Sequence, residues 1–226
     1  MDLSVLMPVF NREKYVLEAV NSILNQTHKD LQLLIYDDGS TDNTISILQG
    51  IKDSRIKLLG EQENKGVAYA RNRLLEACDT PYACFQDSDD ISVFNRLEKQ
   101  WQIIKNNTVL VFCGWDTFSD TDAVDNFLKS NSRSRANATL MFPVDKEVKY
   151  NESLRMGGED SGWIQEKEKK YDSVVVPEVL YHVRSHQDRI GVWKRKIRAK
   201  IPDKVQVNMS YREMIEYYKE NFEGES

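Results

Sequence analysis

The chain has 226 residues, 40% hydrophobic and 30% charged, with a formal net charge of −5 and a pI near 5.4. That much apolar material supports a core and excludes disorder for most of the chain; the acidic balance argues against nucleic acid as a partner. No apolar run approaches the roughly 20 residues of a membrane-spanning helix, and the length suits one large domain, or one with a short appendage.

The first apolar run, Leu3 to Phe10, follows no basic segment and ends in Asn11-Arg12, so it reads as a buried strand and not as a signal peptide. Residues 12–26 carry Val16, Ala19, Val20, Ile23 and Leu24 at helical spacing. Leu31–Tyr36 is a second strand. Asp42 to Ile51 reads as a helix capped by Ser40, Thr41 or Asp42. Arg55–Leu59 is a short strand, Gly66–Ala77 a helix, Tyr82–Phe85 a strand closed by acids, residues 93–106 an amphipathic helix and Val109–Cys113 a strand. Strands apolar on both faces, alternating with helices, predict a mostly parallel sheet covered on both sides.

Beyond residue 115 the pattern loosens. Residues 116–135 read as a flexible polar segment. Ala138–Phe142, Ser173–Val176 and Leu180–Arg184 read as strands. Asp160–Lys170 reads as a helix with an acidic start and a lysine-rich end. Residues 191–226 read as a basic, then amphipathic, helical tail. Three cysteines, Cys78, Cys84 and Cys113, form no CxxC pair and read as reduced core thiols of a cytoplasmic protein.

In a parallel α/β sheet, ligands bind beyond the carboxyl ends of the strands. Strand one ends in Pro8-Val9-Phe10-Asn11-Arg12, strand two in Asp37-Asp38-Gly39-Ser40, and the strand at 82–85 in Gln86-Asp87-Ser88-Asp89-Asp90. Each acidic run alone fits a turn or a helix cap. Two of them, each directly after a buried strand, point to a cation held among clustered carboxylates. Hard oxygen ligands at this spacing suit Mg²⁺ or Mn²⁺ bridging a diphosphate. The calcium-loop pattern matches only in part, and no GxGxxG, P-loop or HExxH motif occurs. Gly157-Gly158-Glu159-Asp160 fits either an acidic first turn of a helix or a general base at a cleft.

Ser4 to Asn11, Ile23 to Thr27, Asp37 to Thr44, Asn64 to Asn72, Asp87 to Asp90 and Gly158 to Asp160 together resemble, in order, the motifs of family-2 glycosyltransferases. The resemblance spans residues 4 to about 190 and rests on the ordered set. It implies the GT-A fold: a Rossmann-like sheet binding a nucleotide-diphosphate sugar (1–115), a smaller acceptor-side region (116–190), and inverting transfer. Pro8, Phe10, Asn11 and Asp38 match nucleotide-binding positions, with the Asp38 carboxylate able to accept the N3–H of uracil. Phe10 stands where tyrosine is commoner. Lys65 lies in a base- or phosphate-contacting region. Asp87, Ser88 and Asp89 match the donor-binding acidic element. The implied metal ligands are Asp89, Asp90 and His186, with His182 as second choice for the histidine, and the implied cofactor is Mn²⁺ or Mg²⁺. Asp160 matches the catalytic base, with Glu159 beside it.

The implied partners are a UDP-sugar donor and a glycan, glycoconjugate or lipid-linked acceptor. Two other readings compete. One is a nucleotide-sugar- or carbohydrate-binding module without catalysis. The other is a sugar nucleotidylyltransferase, whose glycine-rich triphosphate loop should follow the first strand and does not. Residues 192–204 hold six basic residues and one acidic. Trp193, Ile197 and Ile201 recur at helical spacing, which fits either a helix lying on an anionic membrane surface or one packed against the domain.

Overall fold

The computed structural model describes residues 1–119, 128–132, 136–154 and 159–186. The strands are β1 (Leu3–Val9), β2 (Leu31–Asp38), β3 (Ile56–Glu61), β4 (Tyr82–Phe85), β5 (Ile91–Ser92), β6 (Leu110–Ser119), β7 (Leu128–Ser132), β8 (Met141–Pro143) and β9 (Ser173–Ser185). The helices are α1 (Val16–Leu24), α2 (Thr44–Gly50), α3 (Val67–Ala77), α4 (Arg96–Ile104) and α5 (Glu159–Glu168). Among the described residues the strands form one sheet in the order β3-β2-β1-β4-β8-β6-β9-β5, with β7 paired to β6. β3, β2, β1 and β4 are parallel. β8 runs antiparallel between β4 and β6, and β9 lies parallel to β6.

Side-chain alternation explains the continuous apolar runs. Leu3, Val5, Met7 and Val9 of β1, with Leu31, Leu33 and Ile35 of β2, join one core with α1, α2 and α4. Leu6, Leu34 and Tyr36 enter the opposite core with α3 and α5. Both faces are covered, as a parallel sheet requires. Cys78, Cys84 and Cys113 are buried and unpaired.

The second half departs from expectation in three places. The polar stretch 116–135 is not wholly irregular, because residues 116–119 continue β6 and 128–132 form β7. Strand pairing there comes from backbone hydrogen bonds, which polar side chains do not forbid. The expected strand 138–142 is a 3-10 turn, Asn137–Thr139, followed by β8. The two expected strands at 173–176 and 180–184 are one, β9, which passes through Pro177. A proline normally interrupts a ladder. Here the register shifts on either side of Gly114, and a Cβ at Gly114 would lie 2.7 Å from the carbonyl oxygen of Glu178. A glycine opposite the irregular stretch lets the two backbones meet. The tail 191–226 lies outside the described residues.

β1 leads to β2 and β3 on one side, while β4 lies on its other side. The strand order therefore reverses between β1 and β4, and the loops leaving those two strands open the crevice where such sheets take ligands.

Candidate active site

The loop after β1 is fixed before it reaches the crevice. Asn11 adopts a left-handed conformation with φ of 50°. Its N–H donates to Ser40 Oγ at 2.9 Å, and its side-chain oxygen accepts from Thr41 N–H at 2.8 Å. Arg12 N–H donates to Thr44 Oγ1 at 2.8 Å, and Glu13 accepts from Asn43. Pro8 is buried within β1, and Phe10 is half-buried just beyond it.

β2 ends in two carboxylates that point to opposite sides. Asp37 turns to Ser40 N–H at 2.9 Å, ahead of the left-handed Gly39. Asp38 accepts from Lys65 N–H at 2.9 Å, Gly66 N–H at 2.7 Å and Asn64 Nδ2 at 3.0 Å. Burial pushes its carboxyl up to about 6, while the N–H groups of Lys65 and Gly66 pull it down. Asp38 thus shapes the loop that opens α3. Lys65 reaches Asp38 through its backbone; its ammonium pairs with Glu61 and lies 4.8 Å from the centre of the Tyr69 ring.

The acidic loop after β4 is wrapped around a buried amide. Gln86 Nε2 donates to the carbonyls of Asp87 at 3.0 Å and Asp90 at 2.9 Å, while Gln86 Oε1 accepts from Ser92 Oγ at 2.6 Å. Tyr181 of β9 braces the loop by accepting from Asp87 N–H at 3.0 Å. The carboxylates then diverge. Asp90 is fully buried and accepts from Arg184 N–H at 2.8 Å. Asp89 Oδ2 meets Arg12 Nε and His186 Nε2, each at 3.0 Å. Ser88 is buried beside it. His182 lies elsewhere along β9 and contacts Asp116 at 2.6 Å, so of the two histidines His186 is the one that meets Asp89.

Arg71 connects this loop to the start of α5. It is 4% exposed, pairs with Asp160, and stands 3.6 Å from Asp87 Oδ1 and 3.8 Å from Glu159 Oε1. The Tyr150 and Phe85 rings lie beneath it at 5.4 and 5.7 Å. Burial alone would push its pKa down; the carboxylates of Asp160, Asp87 and Glu159 reverse this and hold it charged. Neighbouring Asn72 donates to Tyr150 O at 3.0 Å and accepts from Tyr150 N–H at 2.8 Å, which ties α3 to the segment before α5.

Arg71, Arg12 and Gln86 escape motif reasoning as site residues. One signal for Arg71 was available: Ala68, Arg71 and Leu75 share the buried stripe of α3, where a cation needs partners.

The divalent cation implied by the resemblance fits the donors at Asp89. The carboxylate oxygen suits Mn²⁺ or Mg²⁺, and the imidazole nitrogen favours Mn²⁺, the softer of the two. Among the described residues no group of three or more His, Cys, Asp or Glu stands ready for a metal. The remaining ligands would be diphosphate oxygens and water, the usual arrangement where Mg²⁺ serves a phosphate substrate.

Comparison with known proteins bears on the family and the fold. The family model described as Glycosyl transferase family 2 matches residues 4–158. An uncharacterised glycosyltransferase of Haemophilus influenzae is 37% identical over 160 residues, 68% of this chain and 64% of that protein. The Escherichia coli UDP-Glc:alpha-D-GlcNAc-diphosphoundecaprenol beta-1,3-glucosyltransferase WfgD is 36% identical over 127 residues, 56% of this chain and 50% of that protein. The chain therefore spans about half to just under two thirds of these relatives. Among solved structures, S. aureus TarS 1-349 in complex with UDP-GlcNAc superposes with a TM-score of 0.70 at 18% identity, covering 98% of this chain and 73% of TarS 1-349. The mannosyltransferase PcManGT from Pyrobaculum calidifontis, in complex with GDP-Man and Mn2+, gives 0.67 at 18% identity, covering 88% of this chain and 60% of that one. At these identities the likeness establishes the GT-A fold.

Proposed function

The chain belongs to glycosyl transferase family 2, and from that premise we propose that it moves a sugar, with inversion, from a UDP-sugar to a hydroxyl of a glycan or lipid-linked acceptor. The observation that carries the reading is the gathering at one crevice of the Asp87–Asp90 loop, His186 and Asp160, with Arg71 joining the loop to Asp160. The UDP-glucose named for WfgD and the UDP-GlcNAc bound to TarS support a uridine donor.

In this mechanism Phe10 stacks on the base, and Asp38 accepts the uracil N3–H. Asp87 and Ser88 approach the ribose and diphosphate. Asp89 and His186 would hold Mn²⁺ or Mg²⁺, which supplies positive charge to the departing nucleoside diphosphate. Asp160 removes the acceptor hydroxyl's proton as its oxygen attacks the anomeric carbon from the face opposite the leaving group. The C–O bond to the diphosphate breaks in the same displacement, so configuration inverts and no covalent nucleophile is needed. The diphosphoundecaprenol acceptor named for WfgD supports a lipid-linked acceptor. A membrane-surface contact through residues 192–204 would bring the enzyme to it. No helix of the described residues is long and apolar enough to cross a membrane.

Calorimetric titration with UDP tests the metal assignment. In wild type, Mn²⁺ should strengthen UDP binding; Asp89→Asn should remove most of that gain while far-UV circular dichroism shows the fold retained. Equal affinity with and without metal in both proteins would count against it. Slow hydrolysis of the donor with Mn²⁺ separates an enzyme from a module that only binds.

Asp38 gives the reading a pH signature. Its carboxyl titrates near 6, above its ordinary value of 3.8. The folded protein therefore takes up this proton at higher pH than the unfolded chain. Between those values stability falls as pH rises, so ionised Asp38 costs folding free energy. The ionised form is the stronger acceptor for the uracil N3–H, and the neutral carboxyl a weaker one. UDP affinity is expected to fall as pH drops from 7 to 5, by at most about tenfold per unit. Asp38→Asn should bind weakly and flatten the profile. A wild-type affinity constant across this range would remove Asp38 from the nucleobase site.

A further inference from the structure

We propose that Arg12 is a built-in cation that occupies the Asp89 carboxylate in the ligand-free protein and must yield it to the divalent ion. The proposal rests on the reading that Asp89 and His186 hold the metal, and it adds a residue that controls access to them.

Three observations support it. First, Arg12 and His186 contact the same oxygen, Oδ2 of Asp89. A metal ion bound to that oxygen and a guanidinium nitrogen 3.0 Å away are like charges competing for one carboxylate. Second, the contact is enclosed, with the Arg12 and Asp89 side chains 12% and 9% exposed. An ion pair so placed is screened less than one at the surface, so its competition with a metal is felt. Third, the chain aims this guanidinium. Arg12 Nη1 donates back to the carbonyls of Phe10 at 3.2 Å and Asn11 at 2.9 Å. Asn11 holds a left-handed backbone, which asparagine adopts more readily than most residues with a side chain, and the 40–44 loop fixes it on both sides. A sparsely populated backbone conformation over-determined by its surroundings is a mark of a positioned functional group.

The consequence is an ordered loading. Without nucleotide, Mn²⁺ must displace a resident cation and binds weakly. When the diphosphate arrives it brings negative charge for both cations, so Arg12 can leave Asp89 without losing an anionic partner.

Manganese binding to the full chain in the absence of nucleotide, followed by electron paramagnetic resonance of free Mn²⁺, tests this without reference to turnover. Arg12→Gln is expected to bind Mn²⁺ about tenfold or more tightly than wild type, the modest end for removing a like charge at this range. Arg12→Lys, which keeps the charge, should stay near wild type, and thermal melts confirm that both variants fold. In the Arg12→Gln background, Asp89→Asn should abolish the gain. If Arg12→Gln binds Mn²⁺ no more tightly than wild type while Asp89→Asn weakens binding, Arg12 is no competitor and the proposal falls while the metal assignment stands. If Asp89→Asn leaves Mn²⁺ binding unchanged in both backgrounds, the metal assignment itself fails and takes the proposal with it.

Discussion

Asp160→Asn is expected to bind UDP as wild type does and to lose turnover by about 10²- to 10⁴-fold, the usual contribution of a positioned general base. The substitution is nearly isosteric, and the remaining amide oxygen can still accept from Arg71, so the start of α5 should stay in place. What disappears is the capacity to take the acceptor proton. Glu159 is the natural control. It is buried, lies 3.8 Å from Arg71 and is 5% exposed, against 39% for the Asp160 side chain. A base must reach an incoming hydroxyl, and Asp160 has the better access. Single-turnover measurement with saturating donor checks the assignment. Near-normal turnover in Asp160→Asn together with loss in Glu159→Gln would exchange their roles.

Arg71→Met should be the most destabilising substitution at the site. It removes the cation that Asp87, Glu159 and Asp160 share and leaves the buried Glu159 uncompensated, with the part-exposed Asp87 and Asp160 beside it. Breaking a buried pair by removing one partner costs about 3–5 kcal/mol. Lysine at this position restores charge but not the fork that contacts two carboxylates at once, so Arg71→Lys should recover only part of the loss. The cost should shrink when Asp160→Asn is added, because one of the stranded charges is then gone. Urea unfolding followed by far-UV circular dichroism reads wild type, Arg71→Met, Arg71→Lys, Asp160→Asn and the double variant. A loss below about 1 kcal/mol for Arg71→Met, the value of an exposed pair, would show that these carboxylates do not depend on it.

The first half of the fold was legible because its central strands β1 and β2 are buried on both faces. Runs such as Leu3–Val9 and Leu31–Tyr36 are apolar nearly throughout, and the helix between them carries a helical apolar period. β9 was not legible as one strand, since Pro177 breaks the local pattern and the accommodation lies opposite it in sequence-distant Gly114. β5 has two residues and is fixed by its pairing with His182 and Tyr181, which no local window contains. Within the site, the acids stood out because they cluster in sequence directly after strands. Their cationic partners did not. Arg12 lies 77 positions from Asp89, and Arg71 lies 89 from Asp160. Arg12 lies in a loop with no periodicity to read, and the buried stripe of α3 marks Arg71 as needing partners without naming them.

The antiparallel strand β8 runs between β4 and β6, so chain from after residue 140 lies inside a sheet begun by the first 119 residues. Phe85 of β4 stacks on Phe142 of β8 with ring centres 5.2 Å apart, and Trp163 of α5 packs against both. Chimeras between relatives therefore cannot exchange the second half of the chain by a single joint near Trp115. Such a joint would bring in a foreign β8 and α5 and set them against a resident β4 and α3, placing a stranger's aromatic cluster against Phe85 and a stranger's carboxylates around Arg71. A graft that respects this weave takes β4, α3 and the region 137–168 from the same parent.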